Sequence, residues 1–246
     1  MTTTSTRFKS AIQVLKKLKK HSDYQGAFIF GSAARNEITD DSDLDVVVVT
    51  DRDNCSNLNH PIIGGVKLDI SFLSYKQLIK QSEEQVSSKR MPFLVESKIL
   101  FDKKGLLFKL KKKLKNTEPP KVKNKDDIQF EFFHANNKAE RNITKDPLSS
   151  LLNMNMGLPT LLKRHYQLNG QWWVSDKRLL KDLTRWDKPL WKLVGNFLSE
   201  SDVKSKFKIW TIIVDHILKP IGGRKKVDEI GCGCKVCENN LKKLRF

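Results

Sequence analysis

Residues 27–50, AFIFGSAARNEITDDSDLDVVVVT, constrain this chain more than any other stretch. A short apolar strand, Ala27 to Phe30, runs into Gly31 and Ser32. A polar turn then ends in Ser42-Asp43-Leu44-Asp45, and a second strand, Val46 to Thr50, follows at once. Side chains alternate faces in extended chain, so Asp43 and Asp45, two residues apart, project from the same side. Two like charges held this close raise one pKa unless a cation neutralises them. Ligands that are all oxygen suit magnesium or manganese. Gly31 lets the backbone approach a phosphate, and the free N–H groups of Ser32 and the turn after it can bind an anion. A nucleoside triphosphate with its metal satisfies both halves. The bland alternative, a turn aspartate beside a solvated one, has Gly-Ser upstream and four valines downstream against it.

The flanks read as support for that stretch. Residues 6 to 20 carry Phe8, Ala11, Ile12, Leu15 and Leu18 at helical spacing, with lysines on the remaining arc. Residues 51 to 61 are expected as a polar loop. In VKLDISFL, Val66, Leu68, Ile70 and Phe72 alternate with Lys67, Asp69 and Ser71, a strand pattern with Asp69 on the polar face. Ser74 and Gln77 make a capping-box start for a helix through about Gln85. Pro92 interrupts, Glu96 to Asp102 reads as a short last strand, and LLFKLKKKLK (106 to 115) as a basic helix. NTEPPKVKNK (116 to 125) is the best linker, because Pro119-Pro120 cannot continue a helix.

Helical patterns fill the second half. Asp126 or Asp127 is expected to cap a segment through about Ile143, with Ile128, Phe132, Ala135, Ala139 and Ile143 as its apolar stripe. Asp146-Pro147 starts a helix running past Gly157 and Pro159 to Asn169-Gly170, Ser175 one through Trp186, and Asp187-Lys-Pro189 another. Ser205 to Leu218 completes a bundle. The domain limits expected are 1–115, a linker at 116–125, a helical domain at 126–220, and a basic cysteine-containing tail at 221–246. His134, His165 and His216 lie far apart in sequence and read as core or surface histidines. The tryptophans read as core. Cys232-x-Cys234-x-x-Cys237 offers three thiols to zinc, with Cys55, His216 or an outside ligand as the fourth, against free thiols in a tail.

Charge bears on the partner. The 46 bases against 28 acids give a net charge of +18 and favour anionic partners. Lysine abundance from biased coding composition would enrich glutamate too, so it does not fully explain the imbalance. Four cysteines are too few and too clustered for a disulfide framework. No run of eighteen apolar residues and no signal-peptide core is present, so a soluble cytoplasmic protein without a membrane partner is expected.

Gly31-Ser32, about ten residues, then Asp43-x-Asp45 before an apolar strand resembles the signature of the DNA-polymerase-β-like nucleotidyltransferase superfamily. The fuller GSAARNE…SDLDVVVV is similar to its antibiotic-modifying members, such as the aminoglycoside nucleotidyltransferases, and to the small bacterial nucleotidyltransferases. Those often carry GSxARG. Asn36 stands where that glycine would be, and asparagine also tolerates a left-handed backbone. The resemblance implies an α/β fold, a mixed-sheet nucleotidyltransferase domain, followed by an all-α helical bundle that binds the acceptor. It implies Mg2+ or Mn2+ on Asp43, Asp45 and a third acid at Asp69, which completes the metal site and serves or assists the base. Glu96 and Glu131 are alternative bases. Gly31 and Ser32 would hold the phosphates of ATP or another NTP, with Arg35 as a phosphate contact. The implied reaction moves AMP to an acceptor hydroxyl and releases pyrophosphate. A small antibiotic-like acceptor comes first, although a +18 chain sits awkwardly with cationic drugs. Transfer to tRNA or to a protein is the second reading, and a nucleotide- or RNA-binding module that has lost activity the third. Some relatives build the site across a homodimer.

Overall fold

In a computed structural model of the chain, residues 8–52, 58–122 and 124–225 are described. They form two compact units that divide between Glu118 and Pro119. Among the described residues no helix is long and apolar enough to cross a membrane.

The first unit is a mixed sheet between two helical layers. Its strands are β1 (Tyr24–Ile29), β2 (Leu44–Thr50), β3 (Leu58–Asn59), β4 (Ile62–Ile63), β5 (Val66–Ser74) and β6 (Lys98–Asp102). They run in the order β3-β5-β2-β1-β6, with β4 pairing β5 off that path. β2 and β5 are parallel; β1 is antiparallel to both β2 and β6, and β3 to β5. Ala27, Ile29, Val46, Val48, Leu68 and Ile70 face a core completed by Phe8 and by Ala11 and Leu15 of α1 (Lys9–Lys17). Phe28, Val47, Val49 and Leu73 face the other way. There they meet Leu78 of α3 (Tyr75–Ser87), Leu94 of α4 (Phe93–Glu96), and Leu107, Leu110 and Leu114 of α5 (Leu106–Lys115). The four-valine run is apolar throughout because both faces of β2 are covered. Each such side chain contributes about 1.5–3 kcal/mol by leaving water.

Three local expectations change. Residues 58–59, expected within the polar loop of 51 to 61, make β3, and β4 follows just past that loop at 62–63, since the otherwise open edge of β5 pairs with whatever backbone returns beside it. Glu96 is not the start of a strand. Pro92 N-caps the helical turn Phe93–Glu96, and β6 begins only at Lys98. The Ser74–Gln77 capping box forms, and its helix runs on to Ser87.

The second unit is all-helical: α6 (Lys125–Asn142), α7 (Pro147–Leu168), α8 (Asp176–Trp186), α9 (Lys188–Ser199) and α10 (Val203–Leu218). Asp146, Asp187 and Asp202 cap α7, α9 and α10 by accepting from Ser149, Leu190 and Ser205 N–H. The Asp202 cap draws the start of α10 two residues ahead of Ser205. The cap of α6 is Asn124, accepting from Asp126 N–H, so the two aspartates sit in the first turn and favour the helix dipole. Phe132, Leu161, Tyr166, Trp173, Leu183, Phe197, Trp210 and Ile213 fill the core. Trp191 is exposed. On α6 the buried face includes Gln129 and Asn136 rather than Ala135 and Ile143. Gln129 is accommodated because its amide donates to the carbonyls of Ile221 and Gly223. Cys55 and Cys232, Cys234 and Cys237 lie outside the described residues.

Candidate active site at the carboxylate end of the sheet

Backbone geometry at the junction of β1 and β2 organises the site. β1 ends at Ile29, Phe30 N–H donates to the Asp45 carbonyl (3.1 Å), and the chain turns into α2 (Gly31–Arg35) with Gly31 at φ +65°. An L side chain is strained there, and space forbids one as well. A Cβ on Gly31 would come within 1.8 Å of Asp45 Oδ2, so the carboxylate lies directly over the glycine. Asn36 closes α2 in the left-handed region at φ +59° and accepts from Lys98 Nζ (2.7 Å). The asparagine thus does the backbone work of the glycine it replaces.

The three acids sit at one end of the parallel pair. Asp45 is the register partner of Asp69, so both carboxylates leave the sheet on one face. Asp43 lies two residues before Asp45. Lys67, two residues before Asp69, reaches it, Nζ to Oδ2 at 3.2 Å. Asp69 Oδ1 meets His60 Nδ1 at 2.5 Å. Lys67 offsets part of the negative charge that the strand register brings together. His60 carries no motif, but the antiparallel register of β3 pairs Asn59 with Ile70, and one residue further His60 falls opposite Asp69.

The carboxylate oxygens of Asp43, Asp45 and Asp69 are the donor type a hard divalent cation takes, but the structure does not gather ligand atoms of all three within 4.8 Å of one another. What it brings together is the register pair Asp45 and Asp69, with the Asp45 carboxylate over Gly31.

Other sequence candidates fall elsewhere. Arg35 is held by two carboxylates, Nε to Glu37 at 2.8 Å and Nη1 to Glu96 at 3.4 Å. Glu96 is thereby tied to α2. Glu131 belongs to the helical unit, where it accepts from Arg164 at 2.8–2.9 Å. His165 and His216, read from sequence as isolated, converge on Asp187: both Nε2 atoms meet Asp187 Oδ2, at 2.7 and 2.8 Å. Burial pushes the His165 ring below its usual range against the pull of Asp187. Burial also pushes the Asp187 carboxyl up, yet the Leu190 N–H and both imidazoles more than offset it and hold it below its usual range. His134 lies apart, its ring beside those of Phe130 and Phe133.

The nucleotidyltransferase domain family matches residues 11–141. Among solved structures the chain is similar to a nucleotidyltransferase-like protein from Exiguobacterium sibiricum 255-15, at 16% identity and a TM-score of 0.51. The likeness covers 86% of this chain and 74% of that one. At that identity it is a likeness of fold. No curated protein matches the chain.

Proposed function

The chain belongs to the nucleotidyltransferase domain family, and from that premise we propose that it transfers a nucleoside monophosphate, AMP from ATP first, to an acceptor hydroxyl with release of pyrophosphate. The observation that carries this reading is the Asp45 carboxylate lying over Gly31 with Asp69 beside it in register. Asp43, Asp45 and Asp69 would hold Mg2+ or Mn2+, which when bound offsets charge on the triphosphate and leaving pyrophosphate. Gly31 and Ser32 present backbone N–H groups to the phosphates. Asp69 accepts the acceptor's hydroxyl proton, and His60 fixes the orientation of its carboxylate through the 2.5 Å contact. Arg35 can reach phosphate by giving up Glu96, the longer of its two contacts. We assign nucleotide chemistry to residues 1–115 and acceptor binding to the helices of 126–220, in a cytoplasmic protein.

For the acceptor, a small aminocyclitol-like molecule is the first reading. Transfer to RNA or a protein is the second, and the +18 net charge favours a polyanion there. Incubation with magnesium and each α-labelled NTP, offering aminoglycosides, bulk tRNA and protein, separates them. Label on a small molecule supports the first, salt-sensitive label on RNA or label on protein the second. No label and no pyrophosphate with any acceptor would favour a binding module instead.

A further inference from the structure

The second unit contains a cluster that nucleotidyl transfer does not use. His165 near the end of α7, Asp187 at the junction of α8 and α9, and His216 near the end of α10 bring three ligand atoms within 4.8 Å of one another. Among the described residues it is the only such group of three histidine, cysteine or acidic side chains. We propose that His165, Asp187 and His216 bind one borderline transition-metal ion of the zinc class, clasping α7, the α8–α9 junction and α10 together.

The residue types select the ion. Two imidazoles and one carboxylate suit zinc and its neighbours, whereas magnesium and calcium take oxygen ligands and belong with Asp43, Asp45 and Asp69. The carboxylate is aimed by its own fold role. Asp187 Oδ1 accepts the Leu190 N–H at 3.0 Å as the cap of α9, which turns Oδ2 toward both imidazoles. Trp186 stacks on the His165 ring, centroids 4.9 Å apart and planes 11° from parallel, and fixes the plane in which Nε2 points. His165 is almost wholly buried, while the His216 side chain keeps 31% of its exposure. That side gives an ion its entry path and a water its place as fourth ligand.

The observed spacing sets what must move. Ligand atoms around a tetrahedral zinc stand about 3.3 Å apart, given bonds of about 2.0–2.1 Å. The two Nε2 atoms at 2.7 and 2.8 Å from Oδ2 therefore need to open by about half an ångström. In the hydrogen-bonded arrangement each Nε2 donates its proton to Oδ2. A ligating ring carries its proton on Nδ1 instead. For His165 that nitrogen faces the Asn169 side-chain amide at 3.3 Å. Turning that amide end for end presents Oδ1 to Nδ1–H, the outer hydrogen bond a ligating histidine uses. It gives up the bond Asn169 makes to the His165 carbonyl at 2.9 Å.

The test titrates Co2+ and Zn2+ into the full chain in excess Mg2+, which competes for the carboxylates of the first unit. His216→Ala and Asp187→Asn are titrated beside it; His216 is partly exposed, and asparagine can keep the α9 cap. The expected result is one equivalent of Co2+ with a tetrahedral visible spectrum free of thiolate charge-transfer bands. Both variants should weaken that equivalent at least about a hundredfold, more than loss of an outer-shell partner, with unchanged circular dichroism. Sites carrying thiolate bands belong to the cysteines and do not count. No such equivalent in the parent, or its undiminished retention in either variant, would overturn the proposal.

Discussion

The two polar centres of this molecule are built by opposite routes. The carboxylate end of the first unit draws Gly31, Asp43 and Asp45 from one continuous stretch, the connection from β1 into the start of β2, and adds only Asp69 from β5. The histidine–aspartate cluster of the second unit draws His165 and His216 from two helices and Asp187 from the junction between two others, with no two of them adjacent in sequence. A site made inside one strand–turn–strand can be read from residue spacing. One made by helix packing appears only when the bundle is assembled. The first is also constrained by backbone, through the φ of Gly31 and the carboxylate above it. The second is constrained by the α9 cap that aims Asp187 and by side-chain packing around the two imidazoles.

The largest expected effect tests the first centre. Asp45→Ala should reduce nucleotidyl transfer by about a thousandfold or more, the scale on which charge stabilisation supports phosphoryl transfer. It should leave the thermal midpoint unchanged or slightly raised, because one of several crowded acids has gone. Gly31→Ala comes next and should damage both properties. The new Cβ meets Asp45 Oδ2 at 1.8 Å and the residue must hold φ +65°, so the expected loss is about 1–3 kcal/mol of stability together with most activity. If Gly31→Ala spared both, the backbone would not be what distinguishes the two centres.

His60→Gln should have a smaller effect. An outer partner that orients a working carboxylate is worth about 10- to 100-fold. The fall should lie in kcat, with KM for the nucleotide little changed, in steady-state kinetics of pyrophosphate release. The smallest effect belongs to the helical unit. Hydrogen bonds from Ser149 and Ser205 hold the Asp146 and Asp202 carboxyls below their ordinary 3.8. A depressed folded pKa means that the unfolded chain binds the proton first. The stabilisation is therefore present above about pH 4 and is lost as pH falls through the folded values. The double variant Asp146→Asn, Asp202→Asn keeps cap acceptors but should flatten that acid limb of a thermal-melt series.

Legibility in the sequence followed the same division. The strand of valines, the β5 alternation around Asp69, the Ser74–Gln77 box and the Asp146-Pro147 and Asp187-Lys-Pro189 starts are local patterns, and the fold keeps them. Asn36 was readable too, as a residue able to stand at positive φ. What was hidden depended on partners distant in sequence. β3 and β4 exist because β5 has an edge to pair, and only their register brings His60 to Asp69. Arg35 carries no mark of its ion pairs with Glu37 and Glu96. On α6, Gln129 was unreadable as a core residue because carbonyls more than ninety positions away satisfy it.

The central claim is that the carboxylates above Gly31 bind a nucleotide through a divalent cation, and it can be tested without knowing the acceptor. The measurement is ATP affinity with and without Mg2+, for the wild-type chain and for Asp45→Asn, by calorimetry. The account predicts affinity that rises with Mg2+ in the wild type and is insensitive to it in the variant. Equal magnesium dependence in the two proteins, or none in either, would contradict it.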